Sequence, residues 1–535
     1  MNDRMSACWR NITTVLLLLL MCFMPVACKE LMGAETSISR MFSSILYIIP
    51  LSCLIASLHK RWLFITLSAI MMITSFVELI MVLLYSNYLT AGNLLAILTT
   101  NVDEGGGFIL GTLHKIPYTL PLVLVWISAI MVYRPGYRVK KSLMGGVILF
   151  LFASILFISY QLFIRWDNNI TARFYITQNV LERPPYNFWH QFYNASEQLC
   201  YRRYITEAEK MSFGARKEKT EGKEIYVLAI GESLRYSSLS LAGYRRSTTP
   251  LLESLDNLTL FSDYYSTANL TMYSVPQIVT RATPDDFLLN YKEKSIVSPF
   301  KECGFKVFVI AANLLGYEKH LSFGCDSLIA LAENEDDRIA ELVDSLADIY
   351  EKSFFIVHYK GNHGPYDNFR KEQDIFHPNP VSDKASWDNH EAMVNAYDNT
   401  VLFTDYNTYN LIKAIDRPET QSGLIMVSDH GADYDTGVSD HGGNCNPNKA
   451  EYHVPMIVWH STLWAEHHKE KTEMLRLHKD KPVNADCVLY SVCDMADIVL
   501  HPSYGKPEWS VFSKTFIPHK RKLLVPDGKN VITLD

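Results

Sequence analysis

The chain has 535 residues, of which 48% are hydrophobic and only 20% are charged. Its formal net charge of −7 lacks the basic excess that is typical of nucleic-acid-binding proteins, and no such partner is expected. Nearly all long apolar runs lie before residue 165, and most charges lie after residue 200. This asymmetry excludes a wholly soluble protein and a disordered chain.

Five apolar stretches in the first third of the chain each approach the ~20 residues that a helix needs to cross a bilayer. They are 12–27, 42–58, 62–85, 116–133 and 143–164. We therefore expect a five-helix transmembrane domain over residues 1–164. The first stretch has a second interpretation as a signal peptide, because Arg10 precedes a leucine run and Cys28 follows Pro-Val-Ala. A retained helix is the favoured interpretation.

Basic residues predict the orientation of these helices. They precede the first stretch, separate the second from the third, and separate the fourth from the fifth. The positive-inside rule places these three segments in the cytoplasm. An odd number of spans then places everything after residue 164 on the far side of the membrane.

The loop 86–115 between the third and fourth stretches lies on that outer face. It carries Asn101, Asp103 and Glu104 just before three glycines. One interpretation is a solvated turn with a glycine hinge, and the other is a polar contact to a lipid headgroup at the membrane surface. The residues alone leave both open.

Residues 165–203 are rich in aromatic side chains and arginine, which favour the membrane interface. A charged segment, 207–223, follows. We interpret 165–223 as an interfacial helical bridge and a linker.

From residue 224 onward, short apolar runs of strand length alternate with helix-like stretches. The predicted strands are 225–230, 306–311, 354–358, 423–428 and 455–459, and the predicted helices are 336–351, 389–415 and 485–500. This alternation predicts an α/β domain over 224–535 with a mostly parallel sheet. Ligands of such sheets bind at the carboxyl ends of the strands.

Acidic and imidazole side chains follow three of these runs. Glu232 follows the first, His358 ends the third and His363 follows it, and Asp429 and His430 follow the fourth, with His441 a little further on. Each residue alone is more often a helix cap or part of a solvated turn. Because three such groups share one edge of the sheet, we favour a metal site, and these ligand types suit Zn²⁺.

The segment 266–276 offers hydroxyl groups at a predicted helix start. The amino terminus of a helix attracts anions, and a hydroxyl beside a metal ion can become a nucleophile. An ordinary Ser/Thr cap is the alternative interpretation. Spacing does not choose among Thr267, Thr271 and Ser274.

Five segments stand out in chain order: 230–233 (Ile-Gly-Glu-Ser), 243–250 (Gly-Tyr-Arg-Arg-Ser-Thr-Thr-Pro), 271–276 (Thr-Met-Tyr-Ser-Val-Pro), 362–366 (Asn-His-Gly-Pro-Tyr) and 428–431 (Ser-Asp-His-Gly). Taken in this order, they resemble the motifs of the bacterial phosphoethanolamine transferases. That family includes the lipid A modifying and colistin-resistance enzymes and belongs to the sulfatase and alkaline-phosphatase-like superfamily. The resemblance covers the whole chain. It implies a protein of the bacterial inner membrane with a periplasmic catalytic domain.

The resemblance also implies roles for individual residues. The zinc ligands would be Glu232, Thr271, Asp429 and His430, and Thr271 would be the nucleophile. His363 and His441 would contact phosphate, while Asn101 and Glu104 resemble a donor-lipid loop. One zinc ion is implied, with a second as an option near His441. The implied donor is phosphatidylethanolamine and the implied acceptor an envelope glycolipid; we expect a monomer.

Some positions depart from the family pattern. Relatives active on lipid A often flank the nucleophile with paired cysteines, where this chain has Thr267 and Gln277. Lipid A, a core sugar, a periplasmic glucan and a protein glycan therefore all stay open as acceptors. Pairing among the cysteines after residue 165 is equally open, although Cys487 and Cys493 fit as core residues.

Two alternative functions stay in view. A phosphoglycerol transferase of the same superfamily would share the metal and the threonine, and a non-catalytic membrane receptor would have lost turnover. A sulfatase is disfavoured because no Cys/Ser-x-Pro/Ala-x-Arg pattern surrounds Thr271.

Overall fold

A computed structural model describes residues 2–32, 38–85, 87–99, 113–134, 183–201, 210–217, 222–312, 322–332, 334–386, 389–435, 448–526 and 528–534. The chain forms two compact units. The first comprises Met1–Leu94 and Gly106–Glu197, and the second comprises Leu95–Gly105 and Gln198–Asp535.

The helices before residue 202 are α1 (Asn2–Met32), α2 (Ile38–Ala56), α3 (Arg61–Tyr85), α4 (Ala91–Thr99), α5 (Leu120–Val132) and α6 (Asn187–Tyr201). Three segments are helical, long and apolar enough to cross a membrane: Trp9–Met32, Arg61–Tyr85 and Lys115–Val132. The predicted second stretch is helical as α2, and the predicted fifth stretch lies outside the described residues. The count of five spans therefore stays a prediction.

An apolar core holds these helices together. Leu18 and Met21 of α1 pack in one cluster with Ile48 of α2 and Phe64 of α3. The ring of Phe64 also stacks on Tyr133, with centroids 3.7 Å apart. Burial of apolar surface stabilises a fold mainly when that surface leaves water, and lipid chains are themselves apolar. Close packing of side chains is therefore the main stabilising contact between helices of this kind.

The second unit contains the remaining helices. They are α7 (Pro250–Glu253), α8 (Thr271–Val279), α9 (Val297–Glu302), α10 (Arg338–Ile349), α11 (His390–Ile415), α12 (Lys449–Tyr452), α13 (Thr462–His467), α14 (Lys469–His478) and α15 (Val488–Met495). Each of the three predicted helices is confirmed, as α10, α11 and α15, with the last one shortened to eight residues.

The strands are β1 (Lys223–Gly231), β2 (Leu258–Phe261), β3 (Tyr264–Tyr265), β4 (Lys306–Ala312), β5 (Ser327–Leu331), β6 (Lys352–His358), β7 (Thr420–Ser428), β8 (Met456–His460), β9 (Val483–Asn484), β10 (Lys522–Leu524) and β11 (Val531–Thr533). Seven of them form one sheet in the order β2-β8-β7-β1-β6-β4-β5. The run from β7 to β5 is parallel, whereas β8 is antiparallel to β7 and β2 to β8. The mostly parallel sheet is confirmed, and all five predicted strands are present.

Strand β1 is buried on both faces, as a central strand of a covered sheet must be. Its alternate residues Ile225, Val227 and Ala229 join a core cluster with apolar residues of α10 and α11. On α10 these are Ile339, Val343 and Ala347, whose spacing of four residues keeps them on one helix face.

Candidate metal centre

Three chain segments leave the central strands at the same edge of the sheet. The register pairs Ile230 of β1 with His358 of β6, and Gly231 of β1 with Ser428 of β7. The residues that follow β1, β6 and β7 therefore begin side by side, at the edge where parallel sheets bind ligands.

Glu232, Asp429 and His430 converge at this edge. One ligand atom from each lies within 4.8 Å of the others, and all three side chains are buried. His430 Nε2 is 3.1 Å from Glu232 Oε1 and 3.2 Å from Asp429 Oδ2. Two carboxylates and one imidazole in such a cluster are the donor set of a divalent transition-metal site.

Helix α8 begins at Thr271 and brings a hydroxyl to the same cluster. Thr271 Oγ1 is 3.2 Å from Glu232 Oε2 and 3.1 Å from His430 Nε2. The hydroxyl of Thr267 is buried with no hydrogen-bond partner, and that of Ser274 lies 3.5 Å from the Thr271 carbonyl. Of the three hydroxyls that spacing left open, Thr271 is the one in contact with the cluster among the described residues.

The electrostatics of the cluster fit a cation. Burial and the neighbouring Glu232 raise the pKa of Asp429 to about 7. Burial opposes charge on His430, but Asp429 and Glu232 raise the pKa of its imidazole to about 10. Asp429 Oδ2 is buried and has no hydrogen-bond partner. Because a buried negative oxygen needs compensation, these residues fit a metal ion.

Neighbouring backbone groups orient the two ligand side chains from β7. His430 Nδ1 lies 3.0 Å from the Gly431 carbonyl, so its N–H donates there and Nε2 is the nitrogen that faces the cluster. Asp429 Oδ1 accepts the N–H groups of Ser233, at 3.1 Å, and His430, at 2.6 Å. This leaves Oδ2 directed at the cluster.

Two glycines allow the close backbone approaches on which the site depends. Gly361 has φ +55°, and a Cβ there would lie 3.0 Å from both the N and the O of Glu232. Its neighbour Asn362 donates its backbone N–H to the Glu232 carbonyl at 2.9 Å. At Gly431, a Cβ would lie 2.0 Å from the Ala450 carbonyl oxygen. Side chains at these positions would displace the loops that carry the ligands.

In the Asn-His-Gly-Pro segment, 362–365, Asn362 is buried and His363 is half-buried. The Asn362 side chain is buried, donating to Thr400 Oγ1 at 2.8 Å and accepting from Thr404 Oγ1 at 3.1 Å on α11. His363 is half-buried, with Nδ1 2.7 Å from the Gly364 carbonyl oxygen. Its proposed contact with phosphate stays a prediction. Asn101, Glu104 and His441 lie outside the described residues.

The 243–250 motif packs against α11. Tyr244 Oη and Arg246 Nη1 both donate to Asp398 Oδ2, at 3.0 and 2.8 Å, and Arg246 Nη1 also donates to Asn395 Oδ1. This segment therefore attaches the chain that follows β1 to the long helix α11.

Two further buried residues lie near the site: His358, which the sequence places at the end of the third predicted strand, and Asp336, which had no role in the sequence interpretation. His358 ends β6, and its Nε2 lies 3.8 Å from Glu232 Oε2. Asp336, which sequence placed at a helix start, accepts the backbone N–H groups of Lys360 and Gly361 and the Asn368 amide, at 2.8–3.0 Å. An acidic residue before a helix is ordinarily a cap, so pattern alone could not reveal this contact.

The described cysteines outside the membrane helices, Cys303, Cys325, Cys487 and Cys493, are free. Cys487 and Cys493 are 0% and 2% exposed, which confirms their prediction as core residues.

An α/β domain with this acidic and imidazole cluster beside a helix-start hydroxyl has the arrangement of a candidate metal-dependent transferase or hydrolase. The family model named Sulfatase matches residues 224–498, just over half of the chain. The chain belongs to the sulfatase family.

Three similar proteins place the chain more closely. Phosphoethanolamine transferase EptC of Escherichia coli is 26% identical over 419 residues, covering 72% of both chains. The zinc complex of the periplasmic domain of EcEptC, 25% identical, has a TM-score of 0.53 and covers 60% of this chain and 94% of that one. The integral membrane protein EptA of Neisseria meningitidis, 18% identical, shares the fold with a TM-score of 0.71 over 95% of this chain and 97% of that one. The resemblance to phosphoethanolamine transferases and the alkaline-phosphatase and sulfatase-like fold are confirmed.

Proposed function

We propose that this chain transfers phosphoethanolamine from phosphatidylethanolamine to a cell-envelope glycolipid such as lipid A or its core sugar. The observation that carries the proposal is the Thr271 hydroxyl at 3.1–3.4 Å from Glu232 and His430, at the first residue of α8. Relatives bearing the phosphoethanolamine transferase name support the group transferred.

Glu232, Thr271, Asp429 and His430 would hold one Zn²⁺ ion. When bound, zinc supplies positive charge that lowers the pKa of a hydroxyl beside it and offsets charge on phosphoryl oxygens. The donor set, and the buried Asp429 Oδ2 that makes no hydrogen bond, support this assignment. Alternatively, a second ion would bind near His441. The number of metal atoms per chain distinguishes one bound ion from two.

In the first half-reaction the Thr271 oxygen attacks the phosphorus of the donor lipid. The Thr271 O–P bond forms, and the bond from phosphorus to the diacylglycerol oxygen breaks. The proton lost from Thr271 is balanced by one gained on the departing oxygen, which leaves as neutral diacylglycerol. The amino terminus of α8, which begins at Thr271, would place its positive end beside the anionic group.

In the second half-reaction an acceptor hydroxyl attacks the same phosphorus and restores Thr271. His363 and His441 would contact the phosphoryl oxygens, and one of them would protonate the leaving oxygen. Asn101 and Glu104 would contact the headgroup of the donor lipid.

The proposed arrangement is a monomer in the bacterial inner membrane. Residues 1–164 would span the membrane, 165–223 would form an interfacial bridge and linker, and 224–535 would be the periplasmic catalytic domain. Three helices of sufficient length and hydropathy support the membrane assignment.

Intact-mass measurement after incubation with phosphatidylethanolamine tests the proposal. We expect a gain of one phosphoethanolamine group on Thr271 in the wild type and none in Thr271→Ala. A gain of phosphoglycerol from phosphatidylglycerol would instead indicate the phosphoglycerol transferase, and no gain from either donor would indicate a receptor. Comparing envelope glycolipids with and without the gene then identifies the acceptor.

A further inference from the structure

Helix α6 has its polar and apolar faces reversed relative to a helix in water. Asn187, Gln191 and Asn194, spaced along one face, are 1%, 4% and 3% exposed. On the other face, three aromatic side chains are each more than half exposed. They are Trp189, Phe192 and Tyr193, which we call the aromatic face.

The buried amides of α6 join a polar network at one end of α3. Asn187 Nδ2 donates to Glu78 Oε1 at 2.9 Å and to the Leu89 carbonyl at 2.8 Å. Glu78 Oε2 accepts the Leu89 N–H at 3.0 Å, and Gln191 Oε1 accepts the Ala91 N–H at 3.1 Å. Every contact here is a specific hydrogen bond, so the orientation of α6 about its axis is fixed.

The position of this network locates α6 along the membrane-crossing helix. Glu78 lies two turns before Tyr85, the last residue of α3, which is itself a candidate span. The same unit exposes large apolar side chains along its candidate spans, among them Ile73 of α3 and Leu120, the first residue of α5. The aromatic face therefore lies close to the level at which α3 ends.

We propose that the aromatic face of α6 lies in the headgroup region of the lipid bilayer. Tryptophan and tyrosine rings prefer that level of a membrane because one part of each ring is apolar and another can hydrogen-bond to water. The buried network around Glu78 turns the aromatic face outward and prevents the helix from rotating its amides to the lipid.

Tryptophan emission in lipid vesicles tests this contact without reference to activity. Full-length protein is reconstituted in vesicles with or without brominated phosphatidylcholine, which quenches tryptophans that contact lipid. We expect Trp189→Phe to lower the quenched part of the emission, whereas Trp509→Phe in the catalytic unit leaves it unchanged. If the quenched part of the tryptophan emission were the same in Trp189→Phe as in the wild type, the proposal would be wrong. If the protein also dimerised with rising concentration, the aromatic face would be assigned to contact with a second copy of the chain.

A second arm measures the consequence for the donor lipid and rests on the proposed function. Phe192→Glu should raise the KM for phosphatidylethanolamine in vesicles severalfold while leaving turnover of a monomeric short-chain donor unchanged. Ile349→Glu, at an exposed apolar position on α10, is the matched control and should alter neither. Phe192→Glu could instead slow turnover of the vesicle donor and of the short-chain donor equally. If Phe192→Leu were then as slow as Phe192→Glu with both donors, Phe192 would have a purely structural role and the proposal would be wrong. Absence of turnover in the wild type would contradict the proposed function, yet the quenching result would still decide the lipid contact.

Discussion

The carboxylate of Asp336 accepts the backbone N–H of Gly361 at 3.0 Å, and Gly361 in turn lies against the backbone of Glu232. Asp336 thus supports, through Gly361, the backbone of Glu232, one of the carboxylates of the candidate metal centre.

Replacing Asp336 should therefore weaken both the fold and the metal site. Asp336→Ala leaves the buried N–H groups of Lys360 and Gly361 without their acceptor, at a cost of about 1–3 kcal/mol each. We expect a lower free energy of unfolding and weaker zinc binding, measured by denaturant titration and metal analysis. Asp337→Ala is the control, because its ion pair with Arg370 is only partly buried and should contribute about 1 kcal/mol or less. Equal losses in the two variants would contradict the positioning role.

A methyl group at residue 361 tests the close approach directly. Gly361→Ala adds both the strain of φ +55° and a 3.0 Å contact with the Glu232 backbone. Gly243→Ala adds strain at φ +91° but meets no atom within 4 Å. Since backbone strain costs of order 1–3 kcal/mol at either position, a loss of zinc affinity confined to Gly361→Ala would isolate the contact. Equal zinc affinity in both variants would show that the loop adapts.

Much of the second unit could be predicted because its strands are short apolar runs ended by glycine or polar residues. The antiparallel direction of β8 could not, since its run of buried residues has the same pattern in either direction. Likewise, the sequence does not distinguish the hydroxyl groups of Thr267, Thr271 and Ser274. The backbone turn before α8 is what brings the Thr271 hydroxyl, and not the other two, into contact with Glu232. The anchor at Asp336 joins residues 24–32 positions apart, a distance over which local patterns carry no signal.

The cluster residues should be required for metal binding individually. Asp429→Asn and His430→Ala should each lose zinc and activity while the domain stays folded, because three groups rarely hold zinc as tightly as four. His377→Ala, a variant at an exposed imidazole paired with Asp383, should retain its zinc, because both residues lie far in sequence from Glu232, Asp429 and His430. Metal analysis of purified protein is the measurement, and full zinc content in either cluster variant would remove that residue from the ligand set.

Acid sensitivity should depend on Asp497. Burial alone would raise its pKa, but His468 and Lys471 hold the pKa of this carboxyl well below its usual range. An acid with a lowered pKa in the folded state adds stability above its unfolded pKa of about 3.9, and loses it as the pH falls toward the folded value. Asp497→Asn should therefore lower the free energy of unfolding near neutral pH, with a difference that shrinks below about pH 4. Asp344→Asn, at an exposed pair with Arg417, should show little difference at either pH; a pH-independent effect of Asp497→Asn would contradict the assignment.

The nucleophile gives the sharpest test, because three nearby hydroxyls differ in what they contact. Thr271→Ala should abolish turnover yet retain zinc, since water can occupy the vacated position, and Thr271→Ser should keep part of the activity through its primary hydroxyl. Thr267→Ala and Ser274→Ala alter hydroxyls that do not contact Glu232 or His430, so we expect effects of only about 1 kcal/mol on stability. Losing a covalent nucleophile removes orders of magnitude in rate, and each tenfold corresponds to about 1.4 kcal/mol in the activation free energy. Single-turnover kinetics and intact mass of the four variants separate these cases. Normal turnover in Thr271→Ala together with inactivity of Thr267→Ala or Ser274→Ala would place the nucleophile elsewhere on this turn.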